Sequence, residues 1–85
     1  MSNLETAITD FVVGYFTDRD MDIFGQCVGT ALAYIREGKE AEGEDLLLSN
    51  IITAKCIAMD IDDDELFATA SGLERAIAYR DMEES

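Results

Sequence analysis

The sequence predicts an all-α protein, a small four-helix bundle or a close relative. Three observations predict it. Apolar residues recur three and four positions apart in four successive stretches. Proline is absent from all 85 residues, so nothing enforces a break inside those stretches. Between them lie short segments of helix-capping residues, Thr17-Asp18, Gly38 and Asp62-Asp63. The four helices are expected at about residues 3–16, 19–37, 41–59 and 63–81, all within one domain covering 1–85.

The first helix opens on Ser2-x-x-Glu5, the spacing of a capping box. Leu4, Ile8, Phe11, Val12, Tyr15 and Phe16 follow at helical spacing. Between Phe11 and Phe16 the helix is apolar almost all round, which places that end in the centre of the core or in an interface.

Thr17 or Asp18 caps the second helix, and Asp20 and Asp22 suit the positive end of its dipole. Met21, Phe24, Val28, Ala31 and Ile35 line the face expected in the core. Gly25, Gly29 and Ala33 form a second stripe at four-residue spacing. Glycine inside a helix costs about 1 kcal/mol relative to alanine. Two in register therefore predict a neighbouring helix crossing very close.

Gly38 closes the second helix in the position just past its cap. The third helix starts in the acidic segment Lys39–Asp45, with Leu47, Leu48, Ile51, Ile52, Cys56 and Met59 expected in the core. Asp62 or Asp63 caps the fourth helix, whose inner stripe is Leu66, Ala70, Leu73 and Ile77. Residues 81–85 are expected to fray.

Tyr34, Gly38, Gly43 and Ile51 sit roughly where a tetratricopeptide hairpin carries Tyr, Gly, Ala and Leu. Residues 29–55 thus resemble one such hairpin. The sequence holds no second copy, and a generic helix–Gly–helix hairpin accounts for the same residues.

Several chemistries lack their residues. With no histidine there is no imidazole acid–base pair, no Ser–His or Cys–His nucleophile and no histidine metal ligand. Asp60, Asp62 and Asp64 have the spacing that opens a calcium loop, but Glu65 and Ser71 stand where it needs Gly and Glu. Asp18, Asp20 and Asp22 fail likewise, at Ile23 and Gly29. No enzyme activity, cofactor or metal is expected. Cys27 and Cys56 do not form a C-x-x-C pair and are read as free thiols buried as small hydrophobes.

No apolar stretch is long enough to span a bilayer. Residues 1–5 lack a basic start before an apolar run, so no signal peptide is expected, and cytoplasmic location follows by default.

Charge is the outlying property. Nineteen acids face six bases, a formal charge of −13. Such a surface repels nucleic acid and anionic membranes and attracts basic proteins. The acids gather at the turns. Those expected to bind a partner are Glu37, Glu40, Glu42, Glu44 and Asp45 in one segment, and Asp60, Asp62, Asp63, Asp64 and Glu65 in another. In an up–down bundle these segments lie at opposite ends.

In size, acidity and lack of catalytic equipment the chain resembles the small phage-encoded inhibitors that mimic DNA, anti-CRISPR proteins among them. The likeness is compositional and implies a basic, nucleic-acid-binding protein as partner. The alternative expectation is a homo-oligomeric structural or adaptor protein whose acidity serves solubility. It would dimerise through helix 1 or the Gly25/Gly29/Ala33 face.

Overall fold

The computed structural model describes residues 3–80. Four helices follow one another: α1 (Asn3–Tyr15), α2 (Asp18–Arg36), α3 (Glu40–Asp60) and α4 (Asp64–Ala78). The four-helix all-α expectation holds. The Cα radius of gyration is 12.4 Å, close to the ~12 Å expected for a folded chain of this length. The Ser2 half of the first capping box and the 81–85 tail lie outside the described residues.

The helix ends follow local chemistry. Thr17 caps α2 through a full capping box. Its hydroxyl accepts from the Asp20 amide at 3.2 Å, and the Asp20 carboxylate accepts from the Thr17 amide at 3.0 Å. Aspartate thus does the work usually given to glutamate at this position, and the pairing keeps a carboxylate in a buried place. Gly38, at φ +84°, ends α2. The Lys39 amide reaches back to the Tyr34 carbonyl at 2.8 Å, and that of Gly38 to Ile35 at 3.1 Å. The same left-handed turn closes α3, but there the residue is Asp62, at φ +55°. The Asp63 amide then donates to the Ala58 carbonyl at 2.8 Å, while the Asp63 side chain accepts from the Leu66 amide at 3.0 Å and caps α4.

α3 packs along both α2 and α4, α1 lies on α4, and α1 touches α2 only lightly. The core is formed by Leu4 and Ile8 of α1; Phe24, Val28, Ala31 and Ile35 of α2; Leu47, Ile51, Ala54 and Ala58 of α3; and Leu66, Ala70, Leu73 and Ile77 of α4. The stripes expected for α2 and α4 are therefore found, except that Met21 is exposed.

Three expectations are corrected. On α3, Ile52, Cys56 and Met59 are exposed and Leu48 is half-buried, while the small Ala54 and Ala58 fill the inner positions. α3 is apolar on more than one face, and its two neighbours select the narrow face that fits closely against both. On α1, Val13 is 81% exposed and Tyr15 72%. Phe11 and Val12 pack half-buried against the core, Phe11 over Gly72 of α4, so this end lies at the edge of the core rather than at its centre. The Gly25/Gly29/Ala33 stripe faces outward, and no atom of another element lies within 4 Å of a Cβ placed at Gly29. The close crossing occurs at Gly43 instead. A Cβ there would sit 2.7 Å from the Ala31 carbonyl oxygen and 3.0 Å from Ile35 Cγ1. Gly43 therefore lets α3 press its backbone against α2.

The α2–α3 hairpin runs from Asp18 to Asp60, longer than a tetratricopeptide unit of about 34 residues. Among the described residues, no helix is long and apolar enough to cross a membrane.

Candidate protein-binding surface

Cross-helix ion pairs fix which helix ends lie together. Arg19, in the first turn of α2, pairs with Asp63 at the start of α4 and lies 3.8 Å from Glu65. Arg36, at the end of α2, pairs with Glu5 near the start of α1 at 2.8 Å. Arg80, just past α4, pairs with Glu44 near the start of α3. The chain therefore runs up, down, up, down. Lys55 and Glu74 join α3 to α4 midway along at 2.9 Å.

This uses four of the six bases to hold helices together. Lys39 instead lies over the Tyr34 ring, 6.0 Å from its centroid. Arg75 lines a groove between α1 and α4 together with Asp10, Tyr15 and Tyr79. Asp10 and Arg75 bring one charge of each sign to that groove.

The acids divide unevenly. One end holds the starts of α2 and α4 and the end of α3. It carries Asp18, Asp20, Asp22, Asp60, Asp62, Asp63, Asp64 and Glu65, eight acids against Arg19 alone. The other end carries Glu5, Glu37, Glu40, Glu42, Glu44 and Asp45, partly offset by Arg36, Lys39 and Arg80. We call the first end the anionic pole.

The ten partner-binding residues expected from sequence fall into these two ends. Glu37, Glu40, Glu42 and Asp45 are exposed at the second end, and Asp60, Asp62, Asp64 and Glu65 at the pole. Glu44 and Asp63 are less available, since Glu44 is half-buried against Arg80 and Asp63 is held by Arg19 and the Leu66 amide. The hydrogen bond from Arg19, then that from Leu66, keeps the Asp63 carboxyl below its ordinary pKa. Asp18 and Asp22, exposed at the pole, were not among the ten. Their signal was the up–down order of short-linked helices, which brings the first and third turns to one end.

Apolar side chains lie beside the pole. A groove of ≈ 420 Å³ between α2 and α3 is lined by Arg19, Ile23, Thr53, Ile57 and Ile61, with Ala54 and Leu66 also facing it. Ile23, Ile57 and Ile61 fall outside the apolar stripes expected from sequence, and the spacing that defines those stripes gives no signal for an exposed apolar groove. Among the described residues, no cluster of three or more His, Cys, Asp or Glu is arranged to hold a metal ion. The two thiols differ: Cys56 is exposed, against expectation, whereas Cys27 is half-buried with its Sγ 3.8 Å from the Leu46 carbonyl oxygen. Burial raises the Cys27 pKa. No protein-family model, no curated protein and no solved structure matches this chain.

Proposed function

We propose that the chain is a non-catalytic, acidic protein-binding module that occupies a basic, nucleic-acid-binding surface of a partner protein. It would inhibit that partner as a DNA-mimicking decoy of the phage anti-CRISPR type. The observation that carries this reading is the anionic pole, where eight acids face one base. A duplex presents one charge per ~1.7 Å of axis, and a pole this dense offers a basic groove a comparable local field.

Asp62 adds to the argument. It occupies a left-handed turn where glycine is the favoured residue, as at Gly38. Keeping a carboxylate there costs on the order of 1 kcal/mol, which is explained if the charge is used. A cytoplasmic setting belongs to this reading, consistent with two free thiols.

The test is displacement of labelled duplex from a basic DNA-binding protein. The chain should release the duplex, and release should weaken steeply as salt rises. Reversing Asp60, Asp62, Asp64 and Glu65 to Lys should abolish it while the circular dichroism spectrum stays helical. Displacement that is flat across salt, or unchanged by the reversal, refutes the reading.

The alternative, a homo-oligomeric adaptor, is favoured by a different observation: Val13 and Tyr15 stand exposed near the end of α1, and Gly29 has open space above it. Sedimentation at high concentration separates the two, since a strict monomer rules out the adaptor.

A further inference from the structure

We infer that the groove between α2 and α3 is the seat of one amphipathic, basic helix of the partner, with an apolar stripe flanked by Lys or Arg. The inference rests on the protein-binding reading above and specifies what the partner presents.

The groove has the shape for a helix. α2 and α3 press together at Gly43, and the groove lies toward the other end of the pair, where Ile23 faces Ile57 and Ile61. From Asn50, which also lines the groove, to Asp60 at its end α3 advances about 15 Å, room for nearly three turns of a third helix laid alongside. Side chains from both helices form the walls, as when a helix packs into the groove between two others.

Its chemistry is mixed in the required way. Ile23 is 40% exposed, Ile57 49% and Ile61 61%, so each has apolar surface left to bury. The one charged residue lining the groove is Arg19, whose charge is taken up by Asp63 and Glu65, while Asp22, Asp60 and Asp62 are exposed at the same end of the bundle without lining it. Glu65, exposed beside Arg19, stands at the pole end. An apolar floor at the end where eight acids stand against Arg19 alone complements a helix that carries Leu or Ile at i, i+3 or i+4, and i+7, with cations beside them. A second copy of this chain is a poor occupant, because at −13 the two copies repel.

The experiment uses two synthetic helical peptides of equal positive charge. One carries a leucine stripe, and in the other glutamine replaces those leucines. Each is titrated into the chain with isoleucine methyl groups labelled for NMR. The striped peptide should shift the methyl signals of Ile23, Ile57 and Ile61. The core residues Ile8, Ile35, Ile51 and Ile77 should move little, and so should Ile52, exposed on α3 outside the groove. The double variant Ile57→Ser, Ile61→Ser should weaken the striped peptide by about tenfold and leave the glutamine peptide unchanged. These side chains are exposed, so the variant should keep its fold.

If both peptides bind equally and the serine variant changes neither, the groove inference is overturned while the charge-led reading stands. If shifts spread equally to Ile52, the groove is not the site. If neither peptide binds at low salt, the inference and the proposed function both fail.

Discussion

The Arg19 guanidinium pairs with the Asp63 carboxylate that caps α4, so one side chain both stops the start of α4 from fraying and ties it to the start of α2. Asp63 therefore has a lower pKa folded than unfolded. The stability it contributes is present above the unfolded carboxylate value and is lost as pH falls through the folded one. Replacing Arg19 with Met should lower the urea midpoint at neutral pH. The gap from the parent chain should then narrow as pH drops below the ordinary aspartate range. A gap of constant size from neutral to acid pH contradicts this role for the pair.

Two glycines in helices should respond with opposite signs to the same added methyl group. At Gly29 the space is open, and Gly29→Ala should stabilise by up to about 1 kcal/mol through helix propensity. At Gly43 the new Cβ meets backbone oxygen at 2.7 Å, and Gly43→Ala should destabilise by about 1–3 kcal/mol. Thermal melts resolve the difference, at roughly 4–8 °C per kcal/mol in a domain of this size. Equal shifts for both would refute the close α2–α3 approach.

Asp62→Gly separates folding from binding. Relief of the left-handed turn should raise stability by about 0.5–1 kcal/mol. Loss of one charge at the pole should weaken binding to a basic partner. A variant both more stable and equally good at duplex displacement would show that the Asp62 charge has no binding role.

The thiols should differ in rate toward a disulfide reagent. Cys56 is exposed and should react first. Cys27 should lag, because burial raises its pKa and lowers its thiolate fraction. Mass spectrometry of the partly labelled chain identifies the order, and faster labelling of Cys27 would contradict its buried setting.

The helices were legible in the sequence because caps and apolar spacing are local signals. Thr17, Gly38 and Asp63 each act within four residues of their partners. Which face of α3 turns inward was not legible. Ala54 and Ala58 lost to Ile52 and Met59 on hydropathy, yet close packing between two neighbours favours small side chains. Likewise the glycines at regular spacing on α2 drew attention, whereas Gly43, which carries the close approach, stands without a periodic companion. The two acidic ends followed from helix count and short turns. Their inequality did not, because it depends on which bases the ion pairs place at each end.

The peripheral position of α1 sets the order in which the protein comes apart. α1 contributes only Leu4 and Ile8 to the fully buried core, while α3 is clasped on two sides. Under native conditions α1 should detach as a unit before the other three helices open. Its backbone amides should exchange with deuterium well ahead of those of α3, and a three-helix remnant of α2, α3 and α4 should outlast it.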